Sequence, residues 1–335
     1  MPRSRVASLS ACILCLALTC VPAATSSAAP LLPPIHVWHT GVGPTDLVVD
    51  EDGTAYVVSG WHYRVEVYDV FGGPSFTFSA PGPFGLYKPS AIALGPNGLL
   101  YVADTYNNRI QVFAKDGIHL GTFSINSTFL PEGRYGPAPY RPYGIAVGTD
   151  GKVFVSDWGN SRILVYGPLG EHLYQWGTRG TGPGQFHKPL GIDVDLDGSV
   201  YVADNMNHRI QKFANDGTFL AEWPCGTGNL VPWGVAVDGK GRLFCTLRNG
   251  DDHVEVFDTN GNRLRAFGRH GEGRGEFWDC EGLFVTPDGR IHIADSSKRR
   301  VQVFTDPTVA VVPVTWSGIK ALLDSSPEST VEQPD

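Results

Sequence analysis

Four acidic–basic pairs recur along the chain at one spacing, namely Asp104 with Arg109, Asp157 with Arg162, Asp204 with Arg209, and Asp295 with Arg300. Seen singly, such a pair could bind an anionic substrate or position a general acid. Because the pair recurs, the symmetry of the fold must place it, and we interpret all four pairs as architectural contacts that fix a loop. Two further copies depart from the pattern, since one has Ser59 before Arg64 and the other has His253 in place of the arginine.

A calcium site is the second chemistry that the residues suggest. Asp193, Asp195 and Asp197 precede Gly198, and Asp204 follows at the twelfth position, as in an EF-hand loop. No helices flank this segment, and alternate residues of a strand cannot converge on one ion. We therefore interpret it as a strand and a solvated turn. Asp193 stays unusual, because a carboxylate among apolar residues is either paired or functional.

These residues belong to a unit that occurs six times. Its best copies are Tyr101–Phe113, Phe154–Tyr166 and Tyr201–Phe213, and its degenerate copies are Ala55–Tyr68, Leu243–Phe257 and Ile291–Phe304. Each copy follows a short apolar strand and a turn with glycine, and a fourth apolar segment such as His119–Phe123 comes after it. Four antiparallel strands in about 40–50 residues are typical of a propeller blade. The sequence therefore predicts an all-β, six-bladed β-propeller.

Composition agrees with this fold and limits the function. The chain of 335 residues has 41 Gly and 25 Pro, and it has 17 Phe, 12 Tyr and 8 Trp but only 2 Met. Such a composition favours turns and pleated sheets over helices. The net charge of −8 argues against a nucleic-acid partner, which needs a basic footprint. Length alone would predict two domains, but the repeats predict one ring.

The units resemble NHL repeats. The resemblance lies in the first strand of the unit, as in Pro142–Val147, Pro189–Val194 and Pro232–Val237, and in the loop with the pattern Asp-x-x-Asn-x-Arg. It covers most of the chain and implies blades of the NHL type. It implies little about function, because fold and chemistry are separable.

The two ends lie outside the repeats. Arg3 and Arg5 precede the apolar run Ala11–Leu18, and small residues follow, so residues 1–29 are predicted to be a signal peptide that is cleaved within 23–29. The apolar run is too short for a membrane span. We expect a secreted or periplasmic protein with one propeller over residues 30–308. Residues 309–335 are expected to form a partly disordered extension with a short helix at Thr315–Leu323.

Closure of the ring requires a strand from the N-terminus. The last unit ends after its third strand, Val301–Phe304, which would leave an open sheet edge. Ile35–His39 has the place and composition of the missing fourth strand, and we predict that it completes the sixth blade.

Three cysteines remain after signal cleavage. Cys245 lies in the middle of a strand of the fifth unit and is predicted to be a buried thiol without a partner. Cys225 and Cys280 flank the fifth and sixth units, so a bridge between them is open but is not demanded by their spacing.

The ring axis is the place for a ligand. A secreted zinc lyase that cleaves peptidyl-α-hydroxyglycine is similar in its repeats, and the resemblance implies zinc-binding histidines directly after the proline of the first strand. The six matching positions are Thr45, Ser90, Tyr143, Leu190, Trp233 and Glu281. None of them is histidine, which argues against that lyase. Propellers of the gluconolactonase and paraoxonase type bind calcium through carboxylates and Asn, and a resemblance to them would use Asp46, Asn207, Asp279 and Glu281.

Two functions remain open. The first is an exported binding module that takes a protein, a peptide or a small organic ligand at a rim formed by the six axial positions, with an aromatic wall at Tyr143 and Trp233. The second is a lyase, lactonase or other hydrolase with a divalent metal at the axis. We favour the first, because no catalytic triad or complete set of metal ligands can be drawn. We expect a monomer with no cofactor, and calcium remains the one alternative.

Overall fold

The structure, a computed structural model, describes residues 34–82, 85–125 and 141–305. Strand β1 (His36–His39) comes first and is followed by the blades. The first three blades contain β2 (Asp46–Val49), β3 (Ala55–Ser59), β4 (Arg64–Tyr68) and β5 (Pro74–Phe78); β6 (Ala91–Leu94), β7 (Leu100–Asp104), β8 (Arg109–Phe113) and β9 (His119–Ser124); and β10 (Pro142–Val147), β11 (Val153–Asp157), β12 (Arg162–Tyr166) and β13 (His172–Trp176).

Two short strands, β14 (Thr178–Arg179) and β15 (Gln185–Phe186), pair in parallel within the connection to the fourth blade. The last three blades contain β16 (Pro189–Val194), β17 (Val200–Asp204), β18 (Arg209–Phe213) and β19 (Phe219–Pro224); β20 (Val231–Val237), β21 (Arg242–Arg248), β22 (His253–Asp258) and β23 (Arg263–Phe267); and β24 (Cys280–Val285), β25 (Arg290–Asp295) and β26 (Arg300–Thr305). The chain is an all-β propeller of six four-stranded antiparallel blades, as the sequence predicts.

The turn between the first two strands of a blade explains one repeated part of the sequence. In the first blade the Asp50 carboxylate accepts the backbone N–H groups of Asp52 and Thr54 at 3.1 and 2.9 Å. Gly53 has a φ of 82°, which favours glycine. The same turn recurs at Asp195 with Gly198. The apparent calcium motif is therefore a strand and a turn, which confirms the interpretation from the sequence.

The N-terminal strand closes the ring as predicted. In the sixth sheet the strand order is β1, β26, β25, β24, and Trp38 lies opposite Val301. Trp38 is buried in one apolar cluster with Leu47 of the first blade and Val303 of the last. Clusters of the same kind join the five other pairs of neighbouring blades. The core is thus a ring of interfaces, and β1 belongs to the interface that joins the two ends.

The repeated Asp–Arg pairs are architectural, as the repetition predicts. In the fourth blade, Arg209 donates through Nε to Asp204 at 2.8 Å, and its other nitrogens donate to backbone oxygens of residues 181, 182 and 185. The second oxygen of Asp204 accepts the backbone N–H of His187 at 2.7 Å. The same contact from the arginine Nε to the aspartate recurs at 2.6 to 2.8 Å in the second, third and sixth blades. The pair ties a loop of its own blade to the connection from the preceding blade.

The three cysteines within the described residues, Cys225, Cys245 and Cys280, are free and buried. The Cys245 thiol is buried and free, which confirms the prediction for this residue. Cys225 and Cys245 belong to one apolar cluster and Cys280 to another, so the thiol nearest Cys225 is Cys245 rather than the Cys280 that the sequence left open as a partner. Burial raises the pKa of the Cys225 and Cys280 thiols.

Chemical labelling checks this assignment. In the native protein, iodoacetamide is expected to leave all three thiols unmodified, because each is buried and the pKa values of Cys225 and Cys280 are raised. Unfolding in guanidinium should expose all three to labelling. Peptide mapping without reductant should return Cys245 only as a free thiol, and a disulfide that contains Cys245 would contradict the assignment.

Some expectations fall on residues outside the described ranges. They are the signal peptide at residues 1–29, the short helix at Thr315–Leu323 and the extension at 309–335. Within residues 34–82, 85–125 and 141–305, no helix has the length and apolar character to cross a membrane.

Candidate functional site

An axial cavity runs through the centre of the ring. The first strands of the six blades (β2, β6, β10, β16, β20 and β24) line it, and its volume is about 180 Å³. Each of these strands starts on the same face, which we call the top face; it carries the connections between blades and the loops between second and third strands. Of the predicted axial residues, the cavity is lined by Thr45, Ser90, Tyr143 and Trp233. Leu190 is 2% exposed and packs into the wall.

The predicted aromatic wall of Tyr143 and Trp233 is present, and charged side chains lie next to it. The rings of Tyr143 and Trp233 meet edge to face at a centroid distance of 5.9 Å. The Arg248 guanidinium lies 4.1 Å from the Trp233 ring centroid and donates to Glu281 at 3.0 Å and to Asp279 at 2.5 Å. A cation on an aromatic face gains strength where water is excluded. At the top end of the cavity, two rings of its lining thus adjoin a guanidinium and two carboxyl groups that lie outside that lining.

The polar residues Thr45 and Ser90, on the other side of the predicted rim, use their hydroxyl groups within the fold. The Ser90 hydroxyl lies 2.6 Å from the Tyr143 backbone oxygen, and the Thr45 hydroxyl donates to the Val58 oxygen at 3.2 Å. Both hydroxyls therefore join strands within and between blades. The polar groups that remain for a ligand are those of Arg248, Asp279 and Glu281, with 12%, 37% and 13% of each side chain exposed.

Two aspartates face the cavity from the first and fourth blades. Asp46 accepts the backbone N–H of Ile92 at 3.1 Å, and Asp193 accepts those of Val194 and Val237 at 2.9 and 2.8 Å. These donors lie on inner strand edges that have no further strand to pair with. The aspartates thus satisfy backbone groups that would otherwise need water. This explains Asp193, the unusual carboxylate of the sequence.

Burial gives these carboxyl groups unusual proton affinities. It raises the pKa of Asp46 to about 8, against the N–H groups of Ile92 and Leu47, which lower it. The charges of Asp193 and Glu281 raise the Asp46 pKa further. Burial also raises the pKa of Asp193 to about 7. The pKa of Glu281 rises to about 7 for the same reason, although Arg248 opposes the shift. Near neutral pH Asp46 is therefore mostly protonated, and Asp193 and Glu281 are each about half protonated.

The calcium set drawn from the sequence does not assemble. Asn207 donates to Asp204 at 2.8 Å and to the Gly180 oxygen at 2.9 Å, so it belongs to the loop architecture. Asp279 and Glu281 are bridged by Arg248, a cation where a metal would have to lie. Among the residues that the structure describes, no three His, Cys, Asp or Glu side chains form a group able to hold a metal ion.

Arg248 is the residue that the sequence does not reveal. It ends β21, in the blade whose loop has an extra residue and lacks the Asp–Arg pair. Two features of the sequence could have pointed to Arg248: the irregular loop that follows it, and the predicted axial residue Trp233, whose ring Arg248 covers.

This architecture defines the chain as a six-bladed β-propeller with an axial cavity. Comparison of the sequence with protein families shows that it contains NHL repeats, matched at residues 86–113, 140–166 and 186–213. No curated protein sequence is significantly similar to it.

Similar solved structures have the same kind of fold at low identity. Virginiamycin B lyase from Staphylococcus aureus is 15% identical, with a TM-score of 0.58 over 81% of this chain and 99% of that one. A streptogramin B lyase is 16% identical, with a TM-score of 0.56 over 82% and 95%. The hydrazine synthase of Kuenenia stuttgartiensis is 12% identical, with a TM-score of 0.56 over 91% and 82%.

Proposed function

We propose that the chain is an exported binding module that takes its ligand at the top mouth of the axial cavity. The observation that carries the proposal is the Trp233–Arg248–Glu281 group, in which an aromatic ring, a guanidinium and a carboxyl meet beside a cavity. A few polar groups that converge on an aromatic wall are typical of a site that orients an organic ligand.

The size of the cavity restricts the ligand. Its volume of about 180 Å³ lies below the range of roughly 300–1,000 Å³ that is usual for drug-sized molecules. The part of the ligand that enters must therefore be small. A single side chain of a peptide or protein fits this limit, and so does a small organic molecule with one ring. We favour a peptide or protein segment, because the rest of it would lie across the top face.

Substitutions at the mouth separate a binding site from a filled channel. A library of capped tripeptides, screened by ligand-observed NMR, supplies the probe. Trp233→Ala and Glu281→Gln are each expected to lower the affinity for the selected peptide by at least about ten-fold, or about 1.4 kcal/mol. Each variant should keep a melting temperature within a few degrees of the wild-type value. Phe71→Ala, at an exposed turn on the opposite face, is the control and should bind as wild type does.

The opposite pattern would end the proposal. If Trp233 only fills the channel, Trp233→Ala should cost about 3–5 kcal/mol of stability, as the truncation of a core aromatic does. A destabilised Trp233→Ala protein with unchanged peptide affinity would show this.

The second candidate is a lyase or hydrolase with its site at the same axis. The observation that favours it is that burial raises the pKa values of three carboxyls, Asp46, Asp193 and Glu281, to about 7 or 8, since a carboxyl with a pKa near 7 can act as a general acid. The lyases of similar fold add no evidence for activity here, because their identity is too low. Elemental analysis of the purified protein discriminates the two functions: stoichiometric calcium or zinc would favour the enzyme.

A further inference from the structure

A ladder of alternating aromatic and cationic side chains crosses the top face over the first four blades. We call it the cation–aromatic arc, and its members in order are Trp61, Lys88, Tyr106, Arg141, Trp158 and Lys188. The five successive distances from a cation to a ring centroid are 4.7, 4.8, 4.7, 5.4 and 5.1 Å. All lie within the range of about 6 Å over which a cation and a ring attract.

The propeller repeat places these residues at equivalent sites. Lys88, Arg141 and Lys188 each directly precede a proline that lies at or just before the start of an inner strand. The aromatic residues come from the loops between second and third strands. Lys88 and Lys188 have φ values of 47° and 61°. Residues other than glycine adopt this left-handed backbone conformation only where the surrounding structure stabilises it. The backbone N–H of Trp158 donates to the Arg141 oxygen at 3.1 Å. The arc is therefore held in place before any partner binds.

Within the part of the chain that the structure describes, no carboxylate neutralises the cations of the arc. The protein carries a net charge of −8, and most of its described cations have a carboxylate partner. Lys88, Arg141 and Lys188 have no such partner among the described residues and meet only aromatic rings. An uncompensated row of positive charge on an acidic protein attracts an anionic partner.

The aromatic rings indicate which anion fits. Lys88 and Arg141 both lie over the Tyr106 ring, and Arg141 and Lys188 both lie over that of Trp158. Base stacking needs a free ring face, and here two cations, one at the entry of the same blade and one at the entry of the next, already lie over each of these two rings. The edge of an aromatic ring is electropositive and suits an oxygen anion. The arc is thus built for carboxylates rather than for stacked bases.

We propose that the cation–aromatic arc binds an extended acidic segment of a partner protein. Lys88 and Arg141 are at most about 9.5 Å apart across the Tyr106 ring, and Arg141 and Lys188 at most about 10.5 Å apart across the Trp158 ring. Three residues of a polyproline II segment span about 9.3 Å. A segment with a carboxylate at every third residue therefore meets Lys88, Arg141 and Lys188 in turn. This interaction goes beyond the proposed function and needs neither the axial cavity nor Trp233.

A synthetic peptide tests the arc directly. Fluorescein-labelled (Glu-Pro-Pro)4 presents carboxylates at the required spacing, and (Gln-Pro-Pro)4 is its uncharged match. Fluorescence anisotropy of the mature protein at low salt should show saturable binding of the glutamate peptide alone. The triple variant Lys88→Gln, Arg141→Gln, Lys188→Gln should weaken it by at least about ten-fold, whereas Lys240→Gln, on the opposite face, should not.

Three controls keep the result decisive. The charge-preserving variant Arg141→Lys should retain most of the binding, and thermal unfolding must show that the triple variant is folded. Trp233→Ala should leave the affinity for the glutamate peptide unchanged, which separates this proposal from the axial site. Equal binding by the glutamine peptide, or full binding by a folded triple variant, would overturn the proposal. So would a preference for a uridine oligonucleotide or for polygalacturonate over the glutamate peptide.

Discussion

Deletion of residues 30–40 is expected to abolish cooperative thermal unfolding and to cause aggregation. The deletion removes β1 and leaves the edge of β26 open, so its backbone groups would be free to pair with a second chain. It also removes Trp38 from the only described interface that joins the first and last blades. Differential scanning calorimetry and size-exclusion chromatography of the wild-type protein and the deletion variant measure both effects.

Point substitutions separate the loss of packing from the loss of the strand. Trp38→Ala is expected to cost about 3–5 kcal/mol, because Trp38 is buried against Val301 and Leu47. The exposed neighbour His39→Ala should change stability by less than about 0.5 kcal/mol. A soluble deletion variant with the wild-type melting temperature would refute closure by β1.

The closure illustrates which part of the fold the sequence determines. The repeated apolar strands give the number of blades. Because the last unit lacks its fourth strand after Phe304, Ile35–His39 could be assigned to that strand. Both follow from local patterns and from the requirement that every sheet edge be paired. Asp193 could also be singled out from the sequence, because the equivalent residues of the other blades are apolar.

The chemistry of the rim could not be predicted in the same way. Arg248 reaches Trp233 and Glu281 from the end of β21, next to a loop that departs from the repeat, so neither contact could be inferred from the repeat pattern. Thr45 and Ser90 looked like ligand-binding groups, but their hydroxyls contact backbone oxygens. The cation–aromatic arc joins residues of four different blades, and distances across blades depend on the twist and spacing of whole sheets. Side-chain contacts between repeats are therefore what the structure adds.

The axial carboxyls should make the protein less stable as the pH rises from about 4 to about 8. An unfolded aspartate has a pKa near 3.8, whereas burial raises that of Asp46 to about 8. Between these values the folded state keeps a proton that the unfolded state has lost, so the free energy of unfolding falls with increasing pH. Each such group contributes about 1.4 kcal/mol per pH unit within its own window. Below pH 6.5 the buried His292, whose pKa burial lowers to about 3, opposes this trend.

Asp46→Asn isolates the largest of these contributions, because the amide cannot titrate and its oxygen can still accept the Ile92 N–H. Between pH 6.5 and pH 8, chemical denaturation should show a smaller loss of stability in this variant than in wild type. At pH 8 the variant should be at least as stable as wild type, since no buried carboxylate has to form. Asp216→Asn is the matched control: Asp216 is exposed and its pKa is lowered, so it is already ionised throughout this range. If Asp46→Asn kept the full wild-type slope, Asp46 would have to be ionised in the folded channel, and the burial that defines the axial site would be wrong.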